Sequence, residues 1–265
     1  MQLGMPTLIE IKSLESCITL CRELGLSFIE LNMNLPEYQV AKLDSDFEQF
    51  SKIAKNNNIY YTIHLDENLN PCDFNDRVAA AYTKTVLETI EVSKLLSVPI
   101  LNMHMNTGIW FTMPDRKVFL FDEYEQEYLH KLISFRKACE DAIGDSNIKI
   151  CVENCGDFKD KTFLQKGLVL LLESPVFALT FDVGHNAGAN YTDEPIIMNN
   201  IEKLQHMHLH DALGQNNHLV LGSGDVEIDK YIKLATKYDC RIVLEVKTIA
   251  GLKQSVKWLK DKKYL

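Results

Sequence analysis

No apolar run in the 265 residues approaches the length that a bilayer core requires, so a membrane span is not expected. The first residues, MQLGMPTL, carry no basic stretch followed by an apolar one. No secretory signal is therefore read, and a cytoplasmic location is the expectation. Positive charge is in short supply: 28 Lys and Arg stand against 37 Asp and Glu, a formal net charge of −9. Phosphate backbones are bound by Lys and Arg, so the balance argues against nucleic acid as the main partner. A local basic groove would still be compatible with it. CxxC spacing is missing among Cys17, Cys21, Cys72, Cys139, Cys151, Cys155 and Cys240. An odd count without a signal reads as free thiols in a reducing compartment, and all seven are expected to be small buried hydrophobes. There is no GxGxxG after the first strand, no Walker pattern and no GxSxG. No linker, low-complexity stretch or charge block divides the chain, so residues 1–265 are read as a single domain.

What is present is one rhythm carried to the end. Short apolar runs rich in β-branched residues predict strands at Gln2–Met5, Phe28–Asn32, Ile59–His64, Pro99–Met105, Ile148–Glu153, Ala178–Asp182, Leu204–His210 and Arg241–Val246. Helical patterns fill the gaps and follow the last strand. Ser13–Leu24 places Leu14, Cys17, Ile18, Cys21 and Leu24 close to a 3.6-residue period. Arg77–Leu96, Asp122–Ile143, Asp229–Tyr238 and Ile249–Leu259 read the same way. Eight strands alternating with eight helices is the count of an α/β fold of the single-domain (β/α)8 TIM barrel type. A doubly wound open sheet is the rival, and the missing glycine fingerprint counts against it.

The strand ends carry the chemistry. They finish in Glu30 and Asn32, His64, Asn102 and His104, Glu153 and Asn154, Asp182 with His185 beyond it, His206, His208 and His210, and Glu245 with Lys247 beyond it. Any one carboxylate in such a place, Glu30 included, reads as a strand-end residue hydrogen-bonded to the next loop. Glu153, Asp182, His208 and Glu245 on four successive strands do not read that way. Barrel closure makes those ends converge, and carboxylates held together need a cation between them. Oxygen-rich ligands with one imidazole suit Mn2+, Mg2+ or Co2+, and Zn2+ is compatible.

His206, His208 and His210 are two apart and share one strand face. They span too much of it to ligate one ion together. His208 has the right height, His206 lies deeper as a hydrogen-bonded core residue, and His210 is open to either role. His130 falls within a helix pattern and reads as a surface residue.

In their local settings these residues resemble a known family. Glu153 in CVENCG, Asp182 and His185 in TFDVGH, His208 in MHLHDA, the HLVLGSG stretch from His218 to Gly224, and Glu245 in VLEVK are similar to the sugar isomerase/epimerase superfamily of xylose isomerase-like TIM barrels. The motifs run in order over nearly the whole chain. DVGH, HLHD and LGSG are fairly specific together, though none is decisive alone. The resemblance implies that Glu153, Asp182, His208 and Glu245 bind one divalent metal ion and that His185 contacts substrate. It implies a metal-dependent isomerase or epimerase of a small sugar, keto sugar or polyol-like compound, working through an enediolate. Glu153 and Glu245 would move the proton, and His185 would polarise or position the oxygen.

The same superfamily contains zinc apurinic endonucleases that hold three metals, whose extra ligands would map onto His64, His104, His185 and His218. Two departures weaken that likeness. Asn216 stands where the nuclease pattern has Asp, and neither the GAHVS-like segment nor basic DNA-contacting loops can be recognised. In a sugar enzyme, His64, His104 and His218 would be substrate contacts. A zinc-dependent phosphodiesterase, a related dehydratase and a catalytically silent ligand-binding barrel stay open as alternatives.

Two long connections, 106–121 and 211–229, follow strands four and seven on the face where barrel enzymes keep their sites. Trp110, Phe111 and Met113 in the first would lie over a sugar as a lid or pack against a neighbouring subunit. Symmetric homo-oligomers are common among enzymes of this kind. Gly222 and Gly224 in the second would form either a phosphate cradle or a tight turn. Asn190-Tyr191-Thr192 fits a glycosylation sequon that a cytosolic chain would not use.

Overall fold

The computed structural model describes residues 1–156 and 158–265. The alternation closes into a ring of eight parallel strands: β1 (Gln2–Pro6), β2 (Phe28–Asn32), β3 (Tyr60–His64), β4 (Ile100–His104), β5 (Lys149–Glu153), β6 (Phe177–Asp182), β7 (Leu204–Leu209) and β8 (Arg241–Leu244). Each strand pairs with its sequence neighbour, and β1 closes on β8 through Gln2↔Arg241 to Gly4↔Val243. The chain is a single-domain (β/α)8 TIM barrel. Every predicted strand is present, with ends that match or shift by at most two residues.

Local chemistry sets the helices. Leu14–Leu24 starts at Ser13, whose hydroxyl accepts the Ser16 N–H, and stops at Gly25 with φ 77°. Its buried residues are Leu14, Cys17, Ile18, Cys21 and Leu24, the stripe the periodicity predicts, with Leu20 in addition. Asn75 caps Asp76–Leu96, and Thr248 caps Ile249–Asp261. The helix predicted over Asp122–Ile143 is broken. Leu120–Glu123 ends at Tyr124, and Glu125–Ile143 begins there. Periodicity cannot see such a break, because both pieces bury the same apolar face.

Most of the core lies between strands and helices, where residues such as Ile29, Leu31, Ile63, Leu101, Val152 and Leu179 are fully buried. The ring's interior is different. Ile100, Cys151 and Ala178 form a small apolar cluster at its base. Above it, every second residue is polar and buried: Glu30, Thr62, Asn102, Thr180 and His206. Gly4 lets β1 lie against the ring of Phe28, since a Cβ there would sit 2.5 Å from it.

Both long connections contain antiparallel hairpins that the sequence pattern did not predict. Trp110–Thr112 pairs with Lys117–Phe119, and Asp211–Leu213 with Asn216–Leu219. Six cysteines are buried as expected, whereas Cys155 is half-buried at the mouth. Among the described residues, no helix is long and apolar enough to cross a membrane.

Candidate active site

The carboxyl ends of β5 to β8 bring Glu153, Asp182, His208 and Glu245 together. One ligating atom from each lies within 4.8 Å of the others, and all four residues are buried. Strand pairing sets the height, because β6 and β7 place Asp182 beside His208. Glu245 follows directly on β8, with its main-chain N–H bonded to Leu209 O. His208 Nδ1 stands 3.3 Å from both Glu153 Oε1 and Glu245 Oε2, and 3.8 Å from Asp182 Oδ2.

Each glutamate has one oxygen tied to the frame. Glu153 Oε2 accepts from Asn102 Nδ2 and lies 3.0 Å from His104 Nε2. Asn102 is itself fixed by the Thr180 hydroxyl, which donates to its Oδ1. Glu245 Oε1 pairs with Lys247 Nζ at 2.8 Å. The remaining oxygens, Glu153 Oε1 and Glu245 Oε2, are buried without an aligned hydrogen-bond partner among the described residues, and so is His208 Nδ1. Three such atoms converging on one point are costly unless a cation joins them. The donor set of three acids and one imidazole fits a divalent ion.

Electrostatics agree with the geometry. Burial pushes the carboxyls of Glu153 and Glu245 up, but neighbouring cationic groups together outweigh it, His208 beside both, His104 and His185 at Glu153, and Lys247 and His218 at Glu245, and hold them well below the usual range. Against the opposing effect of burial, Glu153, Glu30 and Glu245 together hold the His208 imidazole well above its ordinary value. His185 rises to about 9, because Asp182 and Glu153 overcome its desolvation. His218 falls to about 4, burial being the main cause.

The structure brings most of the sequence-predicted residues to this mouth. His185 Nδ1 is 3.5 Å from Glu153 Oε1 and from Asp182 Oδ2. His64 is buried, with Nε2 3.7 Å from Glu153 Oε2. His218 directs Nδ1 to Glu245 O at 3.0 Å. Trp110 lies outside this cluster. It sits on the first hairpin, 47% exposed, against Phe119 with Lys117 over its ring. His206 is the hydrogen-bonded core residue expected, and His130 is exposed. A polar cleft of about 420 Å3 opens beside His185 and is lined by Cys155, Lys159, Asn190 and Gln215 among others. A smaller one of about 220 Å3 lies on the far side, against Glu245 and Lys247.

Two buried carboxylates escaped the sequence reading. Glu30 is no strand-end residue bonded to a loop. It lies inside the ring, where Oε2 accepts from Thr62 and sits 2.8 Å from His206 Nε2. Its Oε1 lies 2.8 Å from His208 Nε2, within ion-pair distance though short of an aligned hydrogen bond. The signal was a charge at an inward position of an otherwise apolar strand, FIELN. The second is Asp211, fully buried. Its Oδ1 accepts the N–H groups of Ala212 and Val226, and its Oδ2 those of Gly222 and Gly224. The glycine N–H groups are thereby used within the protein, so the turn is a fold device and not a phosphate cradle. Gly222, at φ 82°, also has the Trp258 indole where a Cβ would stand.

Comparison with known proteins agrees with this architecture. Among curated protein sequences, none is significantly similar to the chain. Solved structures match along almost its full length. A D-tagatose 3-epimerase-like protein superposes with TM-score 0.79 at 22% identity, covering 100% of this chain and 97% of that one. A probable 3-DHS dehydratase, AsbF, from Bacillus anthracis gives TM-score 0.76 at 13% identity over 98% and 99% of the two chains. The IOLI protein with a bound zinc atom gives 0.72 at 13%, over 99% and 96%. At these identities the likeness establishes the fold. The family model described as xylose isomerase-like TIM barrel matches residues 18–262, and the chain belongs to that family.

Proposed function

We propose that the chain is a divalent-metal-dependent epimerase or isomerase of a small sugar, keto sugar or polyol-like compound, acting through an enediolate. The observation that carries this reading is the pair of unpartnered oxygens, Glu153 Oε1 and Glu245 Oε2, on either side of His208 Nδ1. Glu153, Asp182, His208 and Glu245 would hold one ion of Mn2+, Mg2+, Co2+ or Zn2+. When bound, such an ion supplies Lewis-acid polarisation of a carbonyl and its neighbouring hydroxyl. Both glutamates are held ionised, each with one oxygen locked and the other facing the mouth, as a proton acceptor requires. One of them takes the proton from the carbon beside the substrate carbonyl. Delivery of a proton to the opposite face of that carbon inverts it, and delivery to the neighbouring carbon exchanges aldose and ketose. His185, held protonated and close to Glu153 and Asp182, donates to the substrate oxygen that gains charge. His64, His104 and His218 line the approach as substrate contacts, with Trp110 on the hairpin above. The epimerase-like fold neighbour supports this class of substrate.

The direct test is exchange of substrate α-protons in deuterated water across a panel of ketoses. Wild type should exchange with at least one member, and Glu153→Gln and Glu245→Gln should each slow it by roughly 10²–10⁴-fold. Unchanged exchange in both variants would remove the glutamates from proton transfer. Bound metal without any exchange would leave a silent binding barrel.

One feature favours a second reading. His64, His104 and Glu153 form a further group whose ligating atoms lie within 4.8 Å of one another, with Glu153 shared between it and the main cluster. A second cation there would suit a phosphodiesterase. Two or three ions per chain, with nicking of an abasic oligonucleotide, would replace the epimerase reading.

A further inference from the structure

His210 is the one histidine of the mouth that the proposed function does not use. It lies just beyond β7, fully buried, with its ring 4.2 Å from that of His218 and 5.7 Å from that of His185. The three could be taken for a second cation site. The hydrogen bonds decide otherwise. The main-chain N–H of His218 points at His210 Nδ1 at 2.8 Å. An amide N–H can only donate, so Nδ1 must accept and carries no proton. The Asp211 carbonyl oxygen is also near Nδ1, but farther, at 3.3 Å, and it cannot displace that donor. The ring proton of neutral His210 therefore sits on Nε2, which lies 3.1 Å from Asp182 Oδ1 and 3.2 Å from Oδ2. Both ring nitrogens are engaged, and the single in-plane lone pair, on Nδ1, is already used by the His218 amide, so none is left for an ion.

We infer that His210 is a positioning residue: the second hairpin locks its tautomer through the His218 amide, and its Nε2–H orients the Asp182 carboxylate toward the cation position. Several features converge on this arrangement. Gly184, in the DVGH motif, has no side chain because a Cβ there would fall within the His210 ring. Asp182 is further held by the His185 main-chain N–H on Oδ1 at 2.6 Å. Its own main-chain N–H donates to Asn154 Oδ1 at 2.8 Å. The hairpin that supplies the amide is pinned by Asp211, the residue next to His210. A partner that fixes a ligand carboxylate changes metal affinity without touching the metal.

This inference rests on the proposed cation site, so one arm of its test needs no metal. In metal-free wild type, long-range 1H–15N spectra of labelled histidines should show His210 with bare Nδ1 and protonated Nε2. A proton on Nδ1 would overturn the assignment. In the second arm, Mn2+ binding is measured by calorimetry on the full chain. His210→Ala should weaken it by about 10–100-fold, the range for partners of metal ligands. His210→Gln, which keeps a donor amide, should recover most of that loss, and both metal-free variants should keep the far-UV circular dichroism of wild type. Equal affinity in wild type and His210→Ala would overturn the positioning role. So would equal losses in the Ala and Gln variants, or loss of a whole equivalent of metal. If wild type binds no Mn2+, the cation site fails, while the spectra still decide the His210 tautomer.

Discussion

The two hairpins at the barrel mouth occupy comparable places and are built on opposite principles. The first, Trp110–Thr112 with Lys117–Phe119, is held by ring contacts and keeps Trp110 and Phe111 about half exposed. The second, Asp211–Leu213 with Asn216–Leu219, hangs on one buried carboxylate that takes four main-chain N–H groups. Only the second delivers side chains to the cluster of Glu153, Asp182, His208 and Glu245, His218 from within it and His210 from its root. Precise placement of ligands calls for directional, buried hydrogen bonds, whereas apolar contacts at the rim tolerate sliding. The first hairpin thus has the build of a cover, and the second that of a scaffold.

The sharpest way to break this contrast is to remove Asp211. Asp211→Ala leaves four main-chain donors without their acceptor, those of Ala212 and Val226 in buried positions, and the expected cost is about 3 kcal/mol, read from the urea midpoint. A loss below about 1 kcal/mol would mean that the second hairpin does not depend on that carboxylate.

Next in size is the support beneath the cluster. Glu30→Gln keeps the shape but removes the charge facing His206 and His208. Mn2+ affinity should fall by about 10–100-fold, or about 1.4–2.7 kcal/mol. Unchanged affinity would confine Glu30 to packing.

The histidines on the scaffold side also set a pH signature for the metal-free chain. His185 has its folded value raised from 6.5 to about 9, so its contribution is complete below pH 6.5 and is lost as pH climbs toward 9. His218 is lowered from 6.5 to about 4, so the folded state resists its protonation and stability is lost as pH falls from 6.5 toward 4. The lowered carboxyls of Glu153 and Glu245 add to the acid-side loss below 4.5. The thermal midpoint without metal should therefore peak near pH 6.5. Saturating metal should flatten the alkaline side, since the ion takes over the role of the imidazole protons. A midpoint that rises from pH 7 to 9 without metal would contradict the charge states assigned to the mouth.

The smallest effect belongs to the first hairpin. Trp110→Ala should change stability by less than about 1 kcal/mol, as expected for a half-exposed side chain with few buried partners. If Trp110 covers the substrate, KM should rise in this variant while the metal affinity stays fixed. A stability loss matching that of Asp211→Ala would erase the distinction between the two hairpins.

Glu153, Asp182, His208 and Glu245 were legible in the sequence because a strand in a parallel barrel is an apolar run with a defined end. A charged residue at that end has only the mouth to occupy. His206 was legible through the two-residue period of a strand. Glu30 was not, because nothing in FIELN tells whether an inward carboxylate meets imidazoles or a loop. That depends on β7, which lies across the ring. The hairpins were hidden for a similar reason. Their strands are three or four residues long, too short for a period, and one is made by a carboxylate rather than by its own pattern. The break at Tyr124 left no trace, since an apolar stripe can continue through it.

By itself, the order of apolar and polar residues determined the barrel and the height at which its ionisable groups emerge, because backbone periodicity is a local property. Only the closed ring decided which of those groups would meet at the mouth, which would lie beneath them and which would be held by a neighbour's hydrogen bond. That choice depends on distances between side chains far apart in the chain, such as Glu30 to His208 and His210 to Asp182, and on which hydrogen-bonding nitrogen or oxygen each neighbour had already claimed.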